Sequence, residues 1–285
     1  MVKMKKHLKA DLMLLVATVF WGLTFVTVKD AMNYSGTFSF IAARFFIGAL
    51  IVLPFVFKKL KAISATTLKD AALLGLLVFL GFALQTAGLK ETSSTRSAFI
   101  TGLSVVLVPV ISYFMNKTKI DAFKTAGIIL SAAGLFLMFP PNSAPINRGD
   151  ILTFACAVVF AFVIVMIQKF TKRNDPLILV FLHICFVAGI SFIMAILFRE
   201  TKMEFKTNFI YDLLFTSIFA TAGSLVLQYK YQKQTSETRA AIVYTLEPLF
   251  AALFAFIIVG ERMAGIALLG GAAVFMGMLF SEFGE

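Results

Sequence analysis

Residues 92–98 of the chain read Thr-Ser-Ser-Thr-Arg-Ser-Ala, and residues 235–241 read Thr-Ser-Glu-Thr-Arg-Ala-Ala. The same offset of 143 residues relates Gln85 to Gln228. A match that stays ungapped over about fifty residues indicates a duplicated structural unit. The sequence therefore predicts two copies of one bundle, and the composition of the copies decides what kind of bundle it is.

Most of the chain is apolar. Hydrophobic residues make up 60% of its 285 residues and charged residues only 14%, whereas about a quarter of the residues of soluble domains are charged. An apolar helix of about 20 residues spans the hydrocarbon core of a bilayer. The sequence predicts ten such segments, at about 10–29, 36–57, 68–90, 95–115, 120–139, 148–170, 176–198, 208–230, 237–258 and 261–281. We therefore expect an all-α integral membrane protein with ten transmembrane helices.

The net charge of +11 follows the loops between the predicted helices. If the N-terminus is in the cytoplasm, the cytoplasmic loops hold 17 basic residues and the outer loops hold 8. Membrane proteins carry their excess of Lys and Arg in cytoplasmic loops. We therefore expect both termini in the cytoplasm, a location in the inner (cytoplasmic) membrane, and no nucleic-acid partner.

The two copies predict a first half at about 10–139 and a second half at about 148–281. Each half has five helices, so matching helices must cross the membrane in opposite directions. Many secondary transporters enclose a central site between such inverted repeats and open it to each side in turn. Residues 140–145, between the halves, include three prolines and cannot continue a helix, because proline lacks an N–H group.

Small residues recur on one face of the fifth and tenth predicted helices. Gly127, Ser131 and Gly134 stand at helical spacing, and Gly270 and Gly277 are the repeat-related counterparts of the two glycines. Small side chains let helix backbones approach closely in a membrane. The pattern favours either an internal contact between these two helices or a seam between two copies of the chain, which leaves the oligomeric state open.

Several motifs occur in an order that resembles one family. They are Phe20-Trp21-Gly22, Arg44, Pro109, Leu246-Glu247-Pro248 and Gly260-Glu261. In their order and spacing the chain resembles the drug/metabolite transporter superfamily, and within it the EamA-like permeases, over nearly its whole length. The resemblance implies secondary transport of small metabolites, most often the export of amino acids or related compounds, without naming the substrate.

The two halves differ at the residues that carry this resemblance. Phe160-Ala161 stands in the second half where the first has Trp21-Gly22, and Ser104-Val105 stands in the first half where the second has Glu247-Pro248. The halves are therefore not chemically equivalent. We expect a substrate site between them to be lopsided.

Glu247, Arg44 and His183 lie well inside predicted helices, where charge is expensive and often functional. Glu247, near the middle of the ninth helix, is expected to carry a coupling proton or to meet a substrate amine, the alternative being a neutral acid that joins helices. Arg44 would balance this charge or meet a substrate carboxylate, unless it forms a structural pair. His183 would relay protons, or would pack as a hydrogen-bonded core residue.

A second set of residues is predicted to bind the substrate. Trp21, the only tryptophan, lies well inside its helix, where it would stack on a substrate or pack in the core. Gln85 and Gln228 offer donors and acceptors that lipid cannot satisfy, so they contact the substrate or bond between helices. The predicted substrate-binding residues are Trp21, Thr24, Gln85, Thr101, Ser104, Gln228 and Tyr244.

The sequence has no GxxxxGK[ST] phosphate loop, no HExxH motif and no histidine pair at metal-ligand spacing. We therefore expect no cofactor, no metal and no enzymatic activity. The predicted function is a secondary transporter that exports a small metabolite by alternating access, with protons as candidate coupling ions. Two alternatives stay open. One is an uptake permease, and the other is a lipid flippase or scramblase, which would need a groove open laterally to lipid.

Overall fold

The computed structural model describes residues 2–117, 121–138, 145–200, 203–234, 240, 243–262 and 265–283. Over these residues the chain is almost entirely helical, and its β-structure is one isolated bridge between Ser35 and Met203. Seven of the described helices are long and apolar enough to cross a membrane. The predicted all-α membrane class is confirmed.

The helices are numbered here in chain order. They are α1 (Val2–Ala31), α2 (Thr37–Val56), α3 (Ala65–Leu89), α4 (Ser94–Asn116), α5 (Ala122–Met138), α6 (Arg148–Phe170), α7 (Pro176–Leu197), α8 (Thr207–Gln232), α9 (Glu247–Val259) and α10 (Gly265–Phe283). The seven of membrane-spanning length are α1 to α4 and α6 to α8, while α5, α9 and α10 contain shorter apolar stretches. Most of the predicted linker at 140–145 and most of the second repeat copy at 235–241 lie outside the described residues.

Polar caps begin several of the long helices, and those of α4 and α6 lie close to one another. Ser93 Oγ accepts the backbone N–H of Arg96 at 3.1 Å at the start of α4. Asn147 and Asp150 form a capping box at the start of α6, in which each side chain accepts a backbone N–H of the other residue. These bonds satisfy donors that the first turn of a helix leaves without a partner.

Helices α5 and α10 pack on one another through the small residues noted in the sequence. A Cβ atom added to Gly134 would lie 2.5 Å from the backbone nitrogen of Val274 and 2.7 Å from the carbonyl oxygen of Gly270. A Cβ atom added to Gly277 would lie 2.7 Å from the carbonyl oxygen of Gly127. The glycines therefore pair in reverse order, so the two helices run antiparallel. Of the two alternatives, the structure assigns these glycines to an internal contact.

The other helices also pair between the two predicted halves. Helix α2 packs against α7, α3 and α4 pack against α6, and α1 packs against α8 and α9. The largest apolar cluster lies where α2, α3, α6 and α7 meet, and it includes Phe45, Leu74, Leu179 and Ile184. The first five and last five helices are therefore interlocked.

The ninth helix differs from the prediction. We expected one helix over about 237–258, with Glu247 near its middle. In the structure a turn at residues 245–246 precedes α9, which begins at Glu247. Pro248 explains this start, because proline is tolerated in the first turn, where N–H groups lack helical partners anyway. Glu247 therefore lies at a helix N-terminus, where a carboxylate interacts favourably with the helix dipole.

Helix α8 contains a segment that the sequence did not predict. Between its α-helical ends, Thr207–Phe215 and Ser224–Gln232, the segment Thr216–Gly223 is a π-helix. Such i→i+5 turns are rare and occur frequently at functional sites. At the end of the segment, Ser224 Oγ donates to the carbonyl oxygen of Phe219 at 2.8 Å.

Candidate functional site

A cavity lies among α1, α3, α4, α6, α8 and the start of α9. The volume open to the centre of a water molecule is about 100 Å³, well above the roughly 10–15 Å³ that one water needs. All seven predicted substrate-binding residues line it together with Glu247: Trp21, Thr24, Gln85, Thr101, Ser104, Gln228, Tyr244 and Glu247. The structure thus brings eight of the ten predicted site residues to one place, and their roles there stay predictions.

Glu247 reaches the cavity wall because α1 approaches the start of α9 closely. A Cβ atom on Gly22 would lie 2.6 Å from Cβ of Phe250 and 3.2 Å from the carbonyl oxygen of Glu247. Glycine at position 22 therefore permits this contact and sets the neighbouring Trp21 beside the same cavity. The Glu247 carboxylate forms no hydrogen bond or ion pair with another residue that the structure describes.

Trp21 is both a packing residue and a wall of the cavity. Its indole Nε1 donates to the carbonyl oxygen of Ala220, within the π-helical segment of α8, at 3.0 Å. Its ring lies 5.8 Å from that of Tyr244, with 56° between the ring planes. One turn further along α1, Thr24 Oγ1 donates to the carbonyl oxygen of Trp21 at 2.6 Å. Packing in the core and stacking on a substrate, the two interpretations of Trp21 from the sequence, are therefore compatible.

The polar side chains of the wall are partly held by neighbours. Gln85 Nε2 donates to Thr101 Oγ1 at 3.4 Å. The phenol of Tyr244 donates to Gln232 Oε1 at 3.2 Å and also interacts with Gln228. Gln232 was not among the predicted site residues, because it follows the predicted end of the eighth helix at about residue 230. It is fully buried.

Arg44 does not line the cavity. Its Nε donates to Thr221 Oγ1 at 2.7 Å, and its guanidinium carbon lies 4.7 Å from the centre of the Phe82 ring. Phe82 is part of the cavity wall. In the described part of the chain no ion pair joins Arg44 to Glu247. If Arg44 balances the charge of Glu247, as predicted, it does so without a direct ion pair between the two side chains.

His183 also lies outside the lining. It is fully buried, and its ring stacks on that of Tyr229 at 5.1 Å with 13° between the planes. Tyr229 lines the cavity. Arg44 and His183 therefore occupy related places, each behind an aromatic ring of the wall.

A polar network lies near the end of α1 and the starts of α4 and α6. Asp150 accepts a hydrogen bond from Thr92 Oγ1 at 2.6 Å and forms an ion pair with Arg96 at 2.7 Å. Lys29, near the end of α1, donates to the carbonyl oxygen of Thr92 at 2.6 Å. The Glu261 carboxylate, before α10, accepts a backbone N–H from the first turn of α4. These contacts join the ends of α1, α4 and α6 to the segment before α10.

Replacing Trp21 with phenylalanine is expected to lower the thermal unfolding midpoint. The variant keeps an aromatic ring but leaves the buried carbonyl of Ala220 without its indole donor, which costs about 1–3 kcal/mol. Differential scanning fluorimetry in detergent, followed with a thiol- or dye-based reporter, measures the change. Thr27→Val is the matched control on α1, because the Thr27 hydroxyl reaches only carbonyls of its own helix, at 3.4 Å. Equal midpoints for the two variants would contradict the anchoring role.

Comparison with known proteins places this chain among transporters. The model of the EamA-like transporter family matches residues 8–139 and 147–283. An uncharacterized transporter of Archaeoglobus fulgidus is 34% identical over 274 residues, which are 96% of this chain and 86% of the relative. The uncharacterized transporter YoaV of Bacillus subtilis is 23% identical over 283 residues, 96% of this chain and 97% of its own.

Two further similarities extend this comparison. A WAT1-related chloroplast protein of Arabidopsis thaliana is 25% identical over 285 residues, 93% of this chain and 67% of its own length. A solved crystal structure with 16% sequence identity matches with a TM-score of 0.71, over 95% of this chain and 96% of that one. At that identity the likeness concerns the fold alone.

Proposed function

This chain belongs to the EamA-like transporter family, and on that premise we propose that it exports a small metabolite across the cytoplasmic membrane by alternating access. Members of this family are transporters and not enzymes, and this chain is a multi-pass membrane protein. The cavity carries the proposal, because its wall gathers polar and aromatic side chains from both halves of an otherwise apolar helical bundle. Such a site suits a small amphipathic compound, an amino acid or a relative of one.

The transport cycle uses two inverted five-helix repeats, over 10–139 and 148–281, that together cross the membrane ten times. Gly127 corresponds to Gly270 in the repeat, and Gly134 corresponds to Gly277. In the structure each glycine packs against the counterpart of the other, Gly127 against Gly277 and Gly134 against Gly270. This antiparallel pairing supports the inversion. Inverted halves can adopt two equivalent arrangements, one open to each side. Rocking of the halves would expose the cavity alternately, and the excess of basic residues in one set of loops supports cytoplasmic termini.

A lipid flippase or scramblase is the weaker alternative. A groove of about 760 Å³ lies between α2 and α7, but its wall is almost wholly apolar, with Ser39 as its hydroxyl-bearing residue. A translocating lipid headgroup needs a polar track through the membrane. Polar side chains such as Gln85, Gln228 and Glu247 line the inner cavity instead, which favours a small-molecule substrate. Uptake would use the same cavity and the same inverted repeats as export. The direction of net transport would depend on the gradients of substrate and coupling ion.

Glu247→Gln is expected to lower flux by about thirtyfold or more, because losing the carboxylate that would pair with a substrate amine costs about 2 kcal/mol or more. Proteoliposomes would be loaded with labelled amino acids and amines, and efflux would be followed with and without an imposed pH gradient. Efflux should be faster from vesicles with wild-type protein than from protein-free vesicles. It should also depend on the pH gradient, and Glu247→Gln should lose this dependence.

Glu204→Gln provides the control, because Glu204 is exposed and its ion pair is with the neighbouring, equally exposed Lys206. Full flux and an unchanged pH profile in Glu247→Gln would remove the coupling role of this residue. Wild-type flux equal to that of empty vesicles, for every compound and in both gradient directions, would count against transport itself.

A further inference from the structure

One charged residue stands out in the part of the cavity wall that the structure describes. Among the described residues that line it, Glu247 is the only Asp, Glu, Lys, Arg or His. Its carboxylate has no ion-pair partner in the described part of the protein. An ionised carboxylate in a dry interior is costly unless a charge of opposite sign pairs with it. A cationic ligand would supply that charge.

Aromatic rings make up much of the remaining wall. Trp21, Phe82, Phe160, Tyr229 and Tyr244 all line the cavity. They occur in neighbouring pairs: the rings of Phe82 and Phe160 are 5.4 Å apart, and those of Trp21 and Tyr244 are 5.8 Å apart. Aromatic faces attract ammonium groups and also pack against apolar groups. One carboxylate beside several rings is therefore complementary to an ammonium group on an apolar body.

Among the described residues of this wall, none carries a positive charge to match a ligand carboxylate. Arg44 is 2% exposed and lies outside the lining, with its guanidinium stacked on Phe82 and bonded to Thr221. His183 is fully buried behind Tyr229. A carboxylate in the cavity would meet the amides and hydroxyls of the wall, and it would share the space with the like charge of Glu247.

Resting on the proposed transport function, we propose that this cavity selects organic cations, protonated amines on an apolar body, over zwitterions and anions. Glu247 would pair with the ammonium group, and the rings of the wall would cover the apolar part. This narrows the proposed substrate from amino acids and their relatives to compounds that carry an amine without a carboxylate.

Trp21 makes the selection measurable without a label, since it is the only tryptophan and lies in the cavity wall. Purified wild-type protein would be titrated with phenethylamine, phenylalanine and phenylpropionate, which share a phenyl ring and differ in their charged groups. We expect saturable quenching by phenethylamine, with a Kd about tenfold or more below that for phenylalanine, and the weakest response to phenylpropionate. Glu247→Gln should raise the Kd for phenethylamine by about tenfold or more, while Glu204→Gln should leave it unchanged.

Tighter binding of phenylalanine or phenylpropionate than of phenethylamine would overturn the proposal, and so would a flat response to phenethylamine or an unchanged Kd in Glu247→Gln. If the glutamine variant does not fold, the ranking of the three ligands on the wild type decides alone, and Glu247→Asp should keep that ranking. Flux of the same three compounds separates this proposal from transport. Efflux of phenylalanine without a preference for phenethylamine would contradict cation selection but support transport. Cation-selective binding without efflux of any of the three compounds would support cation selection but contradict transport.

Discussion

Gly277→Ala is expected to destabilise the protein by about 3 kcal/mol, the upper part of the usual range for overpacking. The added methyl group would lie 2.6 Å from the backbone nitrogen of Ser131 and 2.7 Å from the carbonyl oxygen of Gly127. Backbone atoms cannot rotate aside as a flexible side chain can, so α5 and α10 would have to separate. The loss should exceed the gain of about 1 kcal/mol that alanine brings to a helix interior.

Gly189→Ala is the matched control for this change. Gly189 also lies within a membrane-length helix, α7, but a Cβ atom there would meet nothing within 4 Å. We expect no loss of stability, or a small gain from helix propensity. Thermal unfolding midpoints and the recovery of monodisperse protein on size-exclusion chromatography measure both variants. If Gly277→Ala matches the wild type, the close packing of α5 on α10 is wrong.

Asp150→Asn is expected to cost about 3 kcal/mol, near the low end of the effect of breaking a buried ion pair. Asp150 is 3% exposed, and it accepts from Thr92 as well as pairing with Arg96. The neutral amide would remove the charge of the Asp150 carboxylate that pairs with the Arg96 guanidinium. Because the Arg96 side chain is 19% exposed, water would recover part of the loss.

Asp175→Asn tests the same substitution where the ion pair is exposed. Lys59 and Asp175 are 46% and 37% exposed, and such pairs are worth about 0–1 kcal/mol. Asparagine also caps a helix well, so the start of α7 should survive.

Burial alone would raise the pKa of Asp175, but the hydrogen bonds from Lys59 and from backbone N–H groups outweigh it and lower this pKa. Its contribution is therefore present at neutral pH and is lost only as the pH falls through that lowered pKa. Chemical unfolding in detergent at neutral pH should separate the two variants clearly, and equal losses would contradict the role of burial.

The sequence predicted most helices well because long apolar runs are bounded by caps, prolines and charges. Ser93 and Asn147, for example, begin helices close to the predicted positions. The late start of α9 was missed, because hydropathy stays high on both sides of residues 245–246 and does not register a break before Pro248. The π-helical segment Thr216–Gly223 gave no signal, since its small and apolar residues are equally compatible with an α-helix.

The wall of the cavity was predictable where a polar residue interrupts an apolar helix, as Gln85 and Gln228 do. Phe82 and Phe160 were missed, because the chain has 33 phenylalanines and nothing in a single sequence separates a cavity wall from a core. Arg44 and His183 stand on α2 and α7, neither of which lines the cavity. Position within a helix predicts depth in the membrane, but which helices surround the cavity depends on long-range packing.

The π-helical segment of α8 makes the spacing of residues along this helix important to the cavity. An i→i+5 turn holds one residue more than the i→i+4 turn of an α-helix. Ala220, whose carbonyl oxygen accepts from Trp21, and Thr221, whose hydroxyl accepts from Arg44, both lie within the widened segment. Deleting one residue between 216 and 223 would allow regular i→i+4 bonding there, but it would displace the two groups that hold Trp21 and Arg44. A change that looks like a simple shortening would therefore reach the cavity through its aromatic wall.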